Sequence, residues 1–214
     1  MDALENSSLV RELCPYRLTL TENKRSDPRL FAWYTALMPG GVFYDMPLEN
    51  VVTAARRAFP RTRTEPRYTL CLTHRLRMQV NARINLAESR SHPEAVLIKA
   101  SARPLDLNKP QDFYCYPGQQ LIGCARLGVI KNGCFYEVAE ATEQKIKLVG
   151  GVELTVEQAG RSLRLTHALT QAGCQGLTLQ GRVRIMETAS SRFTRRHLYV
   201  CLSRATAFNL VEVC

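Results

Sequence analysis

The chain has 214 residues, of which 45% are hydrophobic and 22% are charged, and this balance excludes a generally disordered protein. The length fits one large domain, or one domain that carries a small inserted module. No apolar run reaches the roughly 18 residues of a membrane-spanning helix, and MDALENSSLV lacks the basic and apolar regions of a secretory signal. We therefore expect an intracellular protein with no membrane partner, in the nucleus, the cytoplasm or a site of viral replication.

The charge is strongly positive and unevenly distributed. The net charge is +10, and the basic residues are 23 arginines and 6 lysines. Residues 1–90 carry 14 basic and 9 acidic residues, residues 91–160 carry 7 and 8, and residues 161–214 carry 8 and 2. An excess of arginine favours bidentate contacts with phosphate. The pattern predicts one face that binds a polyanion, built from both flanks of the chain, although a basic surface without a partner would give the same count.

The eight cysteines indicate no metal site. None forms a CxxC pair, and no Cys/His group has the spacing of a zinc finger. Several lie inside apolar runs, which is typical of small buried thiols in a reducing compartment. We expect the chain alone to bind no metal.

The predicted elements alternate between helix and strand at the start of the chain. Asp27-Pro28 has the form of an N-cap followed by a helical proline, and it predicts a helix through Met38. A second helix is predicted from Pro47, because the apolar residues after it recur with helical spacing. The next predicted elements are a strand at residues 68–72, a helix from about residue 75 to residue 89, a strand at residues 95–99 and a loop at residues 101–118.

Residues 119–157 differ from their surroundings. They contain short β-like runs separated by turn signals at Asn132-Gly133 and Gly150-Gly151, which predict a small β-rich module. After the module, the sequence predicts a strand at 163–170, a helical turn at 171–177, a strand at 183–186, a helix at 195–205 and a strand at 209–213. This order predicts an α/β fold with a mostly parallel sheet, helices on both faces and an inserted β-rich module.

Several catalytic motifs are absent from the sequence. GxxxxGK[ST] does not occur, and neither does the dipeptide Gly-Lys, so the chain has no P-loop to hold phosphates. No pair of adjacent acidic residues follows an apolar strand, and HExxH, GxSxG and GxGxxG are also missing. The chain alone therefore lacks the parts needed for nucleotide hydrolysis.

Two strings near the C-terminus carry a family resemblance. ALTQAGCQGLTL (168–179) and HLYVCLSRAT (197–206) resemble motifs V and VI of superfamily 1 DNA helicases, in the RecD-like and PIF-type branch. LTENKRSD (20–27), LTHRLRMQVN and PGQQLIGCARLGVIKNGCFYEV resemble further segments of that family, so the resemblance takes in motifs IV, V and VI. It covers residues from about 18 to 214.

The resemblance implies a domain organisation. Residues 1–27 would be the end of a first motor domain or a linker, and residues 28–214 would be a second RecA-like domain with an SH3-like insertion at about residues 119–157. In this family ATP binds between the two motor domains, and the first supplies the P-loop, the Mg²⁺ carboxylate and the catalytic base. We expect ATP and Mg²⁺ only when a P-loop domain is present, either in the same longer protein or in a partner.

The resemblance also implies nucleotide-binding residues. Arg25 and Arg204 would reach the γ-phosphate and stabilise the charge of the transition state. Gln175 and Gly176 would lie near the nucleotide. The alternatives are a solvated arginine in a charged stretch for Arg25 and a surface arginine at a helix end for Arg204.

A further group of residues would contact DNA. Thr73, His74 and Arg77 are predicted at a strand end and a helix N-terminus, where free N–H groups, a hydroxyl and a guanidinium suit phosphate. Thr170 and Thr178 would offer hydroxyls to DNA or to the ATP site. A capping role for His74 and ordinary strand-end roles for the threonines are the alternatives.

The sequence departs from its relatives inside motif V. Many relatives carry a histidine and then a basic residue where this chain has Ala172 and Gly173. This departure keeps a second interpretation open, namely a non-catalytic nucleic-acid-binding or assembly module derived from a helicase. The first interpretation is the C-terminal motor domain of an ATP-dependent DNA helicase that binds single-stranded DNA and is inactive alone. An RNA-directed helicase is a third.

Overall fold

A computed structural model describes residues 12–13, 22–100, 111–125 and 127–214. The predicted loop at residues 101–118 lies partly outside these residues, as does the start of the segment LTENKRSD. Within the described residues, no helix is both long and apolar enough to cross a membrane.

The central element is a four-stranded parallel sheet. Its strands are β1 (Tyr68–Cys71), β9 (Ala168–Thr170), β10 (Val183–Ile185) and β11 (Val211–Val213), in the order β11-β10-β1-β9. Every neighbouring pair is parallel, and the central register aligns Leu70 with Leu169 and with Ile185. Both faces of β1 are buried, as its continuous apolar run predicts.

Helices flank this sheet, and side chains cap three of them. They are α1 (Pro28–Thr35), α2 (Leu48–Ala58), α3 (His74–Ser89) and α5 (Arg195–Leu202). Helix α4 (Val156–Ser162) packs instead against strands of the antiparallel region. Asp27 caps α1, Thr73 caps α3, and Thr194 caps α5 by accepting from backbone N–H groups. The predicted starts of these helices are confirmed, because the capping signals are local in sequence.

A second, antiparallel sheet occupies the middle of the chain. Its five strands are β4 (Gln120–Gly123), β5 (Phe135–Ala141), β6 (Lys145–Leu148), β7 (Glu153–Thr155) and β8 (Leu163–Leu165), in the order β7-β6-β5-β4-β8. A separate antiparallel pair joins β2 (Val96–Ile98) to β3 (Phe113–Cys115). The SH3-like character of the segment stays a prediction.

Two predicted elements need correction. The strand expected at residues 163–170 is two strands, because the chain turns at Thr166 and His167, and β8 belongs to the antiparallel sheet while β9 belongs to the parallel one. The β-rich segment therefore continues past residue 157. The strand at residues 95–99 pairs with β3, which forms inside the predicted loop, rather than with the parallel sheet.

The hydrophobic core follows the two sheets. One cluster packs α1, α2 and α5 against the parallel sheet, with Leu30, Phe59 and Leu198 fully buried. A second cluster of buried side chains fills the antiparallel region and includes Ile98 and Leu121. The assignment of residues 1–27 to a first motor domain stays a prediction, and most of those residues lie outside the described part of the chain.

Candidate nucleotide and nucleic-acid site

Parallel strands present their carboxyl ends at one edge of the sheet, where ligands of open α/β sheets bind. Thr73 follows β1, Thr170 ends β9, and Glu187 follows β10. The edge therefore gathers hydroxyl and carboxylate groups from segments far apart in sequence.

The chain brings Arg25 and Arg204 together. Asp27 anchors the N-terminal segment, because its carboxylate accepts from Leu30 N at 2.8 Å and from Phe208 N at 2.5 Å. The backbone N–H of Asp27 also donates to Thr206 O at 3.0 Å. These contacts hold Arg25 beside the end of α5, where its Nη1 lies 3.4 Å from Ser203 O.

The guanidinium of Arg204 bridges motifs V and VI. Its Nη2 donates to Ser203 Oγ at 2.8 Å, its Nε to Val200 O at 3.2 Å, and its Nη1 to Leu177 O at 3.5 Å. No carboxylate lies within ion-pair distance of Arg204 in the part of the chain that the structure describes. Among the described residues, the guanidinium is therefore fixed in direction by neutral oxygens and is paired with no carboxylate.

Electrostatics at Arg204 disfavour its own charge. Partial burial lowers the pKa of Arg204 below its usual range, and the positive charge of Arg25 lowers the pKa further. A nearby anion would relieve both effects. The pair therefore has the electrostatic character of a site for a phosphate group.

The motif V loop, residues 171–178, packs directly on motif VI. Leu179 N donates to Arg204 O at 2.9 Å, and Leu179 forms an isolated parallel bridge with Ala205. Gln175, Gly176 and Thr178 are exposed in this loop. Gly176 has φ of +83°, which a side chain would strain, so the turn that presents Gln175 depends on glycine.

Four predicted residues line one cleft, called here the sheet-edge cleft. It has a volume of about 310 Å³ and lies between the parallel sheet and the antiparallel sheet. Its walls include His74, Arg77, Thr170 and Gln175, and β8 contributes Arg164. Thr73 and Thr178 lie outside its lining. Three of the five predicted DNA-binding residues therefore share one cleft with a predicted nucleotide-binding residue.

Two arginines concentrate positive charge in the sheet-edge cleft. Arg77 is only 5% exposed, and burial, together with the positive charge of Arg164, lowers its pKa to about 10. Sequence reasoning missed Arg164, because a single arginine inside the short strand LRL carries no motif. The cleft has the charge that suits a DNA phosphate.

A carboxylate occupies the donors expected to bind phosphate at α3. Glu187 Oε2 accepts from Leu72 N at 2.7 Å and from Thr73 N at 2.8 Å, and Glu187 Oε1 accepts from Thr73 Oγ1 at 2.7 Å. Glu187 has φ of 60°, a left-handed conformation that is rare outside glycine. A phosphate could reach these donors only after the Glu187 side chain withdraws. No sequence signal identified Glu187.

The structure gives a physical reason for Gly173. Its N–H donates to Thr170 Oγ1 at 3.0 Å, and a Cβ atom built on Gly173 would lie 2.9 Å from that oxygen. A basic side chain at this position would displace the threonine hydroxyl. Asn81, in contrast, braces the sheet, because its amide exchanges hydrogen bonds with the backbone of Ala168 at 3.0 and 2.7 Å.

Candidate metal ligands are scattered. In the described ranges, no group of three or more His, Cys, Asp or Glu side chains is placed to hold a metal ion.

Comparisons with known proteins identify the fold. No protein-family model matches the sequence, and no curated protein matches it. Solved structures do match, and one is a Pif1 helicase from a study of DNA unwinding at forked double-stranded DNA by two coordinating Pif1 helicases. That match has a TM-score of 0.59 and 16% identity, and it covers 89% of this chain and 48% of that chain.

Two further structures agree with it. Pif1 helicase from Candida albicans matches with a TM-score of 0.56 and 18% identity, over 98% of this chain and 59% of that one. Bacteroides Pif1 bound to single-stranded DNA matches with a TM-score of 0.56 and 16% identity, over 92% and 51%. The chain spans about half of the length of the structures it matches. It therefore has the RecA-like α/β fold, with a parallel sheet flanked by helices, that is found in Pif1 helicases.

Proposed function

We propose that this chain is the C-terminal motor domain of an ATP-dependent DNA helicase. The observation that carries the proposal is the arginine pair, in which Arg204 has no carboxylate within ion-pair distance among the described residues and lies near a second cation, Arg25. The similarity of the fold to Pif1 helicases and the resemblance of motifs V and VI support the same conclusion.

In this proposal the chain supplies half of an ATP site. A P-loop domain, in the same protein or in a partner, would hold Mg²⁺ and the nucleotide, and Mg²⁺ would neutralise charge on the phosphates. The guanidinium of Arg204 would stabilise the charge that develops on the transferred phosphoryl group. Arg25 would reinforce that charge, and Gln175 and Gly176 would lie beside the nucleotide.

The same proposal assigns single-stranded DNA to the sheet-edge cleft. Arg77 and Arg164 would attract backbone phosphate, and His74 and Thr170 would donate hydrogen bonds to it. Thr178 would contact the strand outside the cleft. Thr73 would join them only when Glu187 withdraws, because the carboxylate now accepts its N–H and hydroxyl. Because the Arg204 guanidinium donates to Leu177 O, a movement of Arg204 on nucleotide binding or hydrolysis would shift the motif V loop.

The first experiment separates the two activities. The isolated chain should bind single-stranded DNA with an affinity that falls steeply as salt rises, and it should not hydrolyse ATP. Addition of a P-loop motor domain from the same genome should produce DNA-stimulated hydrolysis. Robust hydrolysis by the isolated chain would contradict the division of the ATP site, and no hydrolysis by the combined domains would contradict the motor.

A non-catalytic nucleic-acid-binding module is the second candidate function. Ala172 and Gly173 favour it, because both are small where motif V of relatives carries a histidine and a basic residue. This candidate predicts DNA binding with no ATP hydrolysis in any combination of domains.

A further inference from the structure

A second cleft lies against the motif V loop, and it is called here the amide cleft. Its volume is about 260 Å³. The loop contributes three residues and α5 contributes the others, and together they are Gln171, Ala172, Gln175, Arg196, His197 and Val200. Most of these residues have no role in the proposed function.

Gln171, one of the residues that line this cleft, has an unusual side-chain amide. The residue is only 2% exposed, and neither its side-chain nitrogen nor its side-chain oxygen has a hydrogen-bond partner among the residues that the structure describes. Its backbone is satisfied, because Gln171 N donates to Cys71 O at 2.9 Å and Gln171 O accepts from Cys174 Sγ at 3.1 Å. A buried amide without partners is unfavourable and needs an explanation.

The chemistry of the cleft defines its ligand. An amide offers a donor and an acceptor side by side, and the edge of an unpaired nucleobase offers the complementary pair. Ala172 and Val200 give the cleft apolar walls, which suit the faces of a base. The volume lies below the roughly 300–1,000 Å³ typical of sites for larger ligands. A peptide amide has the same hydrogen-bonding pattern, so charge must distinguish the two.

Charge favours nucleic acid over a peptide. Arg196 is exposed at the cleft, and none of the residues that line it is acidic. Residues 161–214 carry 8 basic and 2 acidic residues. A base in the cleft would bring its own phosphate near Arg196, whereas a peptide would need an acidic flank to gain the same attraction.

We propose that the amide cleft takes one unpaired base of the bound DNA strand, edge-on to Gln171, with adenine preferred because glutamine pairs with it in a bidentate way. This inference rests on the proposed function, since it assigns a second contact to the same DNA strand. It would add a modest base preference to otherwise sequence-independent binding.

The test measures the affinity of the full chain for strands with and without bases. The probes are single strands of about 12 units, made of adenine nucleotides, of thymine nucleotides, or of abasic sugar-phosphate. Wild type should bind the adenine strand at least about fivefold more tightly than the abasic strand, with thymine between them. Gln171→Leu should bind all three with nearly equal affinity.

A matched control and a stability measurement make the result decisive. Gln119 is another buried glutamine, at 4% exposure, but it lies away from the amide cleft, so Gln119→Leu should keep the adenine preference. Because an unpartnered amide is lost, Gln171→Leu should melt at a Tm no lower than that of wild type. A lower Tm would overturn the inference, since the amide would then have a partner in the free protein.

The outcomes also separate this inference from the proposed function. Equal affinity of wild type for adenine and abasic strands would overturn the base contact alone and would leave a peptide amide as the ligand. Failure to bind any strand would overturn the proposed function together with the inference. An adenine preference that survives Gln171→Leu would mean that the base contact lies in another part of the chain, and it would overturn the inference.

Discussion

Arg184 and Arg204 are both partly or fully buried arginines, and they differ in their neighbours. Arg184, on β10, pairs with Glu212 on β11 through an Nε–Oε2 contact of 2.6 Å, and its Nη2 donates to Thr64 O at 2.9 Å. Within the part of the chain that the structure describes, Arg204 donates to carbonyl and hydroxyl oxygens alone, and the positive charge of Arg25 lies near it. The first arginine is neutralised inside the fold, whereas the second keeps a positive charge that an external anion can use.

The acidic residues of the C-terminal region follow the same division. Residues 161–214 contain only Glu187 and Glu212 as acids. Glu212 accepts from Thr62 and Arg184, and Glu187 accepts from the backbone at the start of α3. Neither carboxylate is within ion-pair distance of Arg204. The net charge of this region therefore does not show which arginines can bind an external anion. That depends on whether each arginine already has a carboxylate partner.

The largest expected effect on stability concerns the neutralised arginine. Arg184→Ala should lower the free energy of unfolding by about 3 kcal/mol, because it leaves the buried Glu212 charge without its main partner. The value lies at the low end of the usual range, since Arg182 Nη1 remains 3.5 Å from Glu212 Oε1. Arg204→Ala should lower the free energy of unfolding by less than about 1 kcal/mol. Urea unfolding of the Arg184→Ala and Arg204→Ala variants measures the difference between them. Equal losses would erase the distinction between the two arginines.

Lowering the pH should reduce the contribution of the Arg184–Glu212 ion pair to the free energy of unfolding. Burial opposes ionisation of Glu212, but hydrogen bonds from Thr62 and Arg184 outweigh it and hold the pKa below the ordinary 4.5. Because the folded pKa is the lower one, the stabilisation is complete above pH 4.5 and is lost as pH falls through the folded value.

The measurement is the difference in unfolding free energy between wild type and Glu212→Gln from pH 7 to pH 3. It should be constant down to about pH 5 and then shrink. A difference that grows on acidification would mean that Glu212 is protonated in the native protein.

The smallest expected effect concerns Glu187. Glu187→Ala should tighten binding of single-stranded DNA by up to about fivefold at low salt, because it removes an anion from a helix N-terminus and frees the donors of Thr73. The salt dependence should also steepen by about one phosphate contact. Glu49→Ala is the matched control, because it removes a carboxylate from the first turn of a different helix, α2. Weaker binding by the Glu187 variant would mean that Glu187 orders the DNA site rather than blocking it.

Much of the fold could be predicted because its signals are local. Asp27-Pro28, Thr73 and the apolar run of β1 each fix an element within a few residues. The break at Thr166 and His167 could not be predicted, since both flanks are apolar and neither glycine nor proline marks the turn. Thr166 Oγ1 instead donates to Gln120 O at 2.9 Å, a partner 46 residues away.

The candidate site was predictable where motifs carry it and unpredictable where tertiary contacts do. The resemblance of motif VI indicated Arg204, and the structure adds its direction. Glu187, Arg164 and Gln171 carry no motif, because their importance depends on what the fold brings beside them. The role of each remains a prediction that the variants above can test.

The most direct test of the central claim is the rate of ATP hydrolysis by this chain combined with a P-loop motor domain. Arg204→Ala should lower the DNA-stimulated rate by about 1,000-fold or more, as expected for an arginine that stabilises the transferred phosphoryl group. Arg29→Ala is the matched control, because the Arg29 guanidinium lies 3.8 Å over the Phe208 ring rather than beside Arg204. If the Arg204 variant hydrolyses ATP at the wild-type rate, this chain does not supply the catalytic arginine.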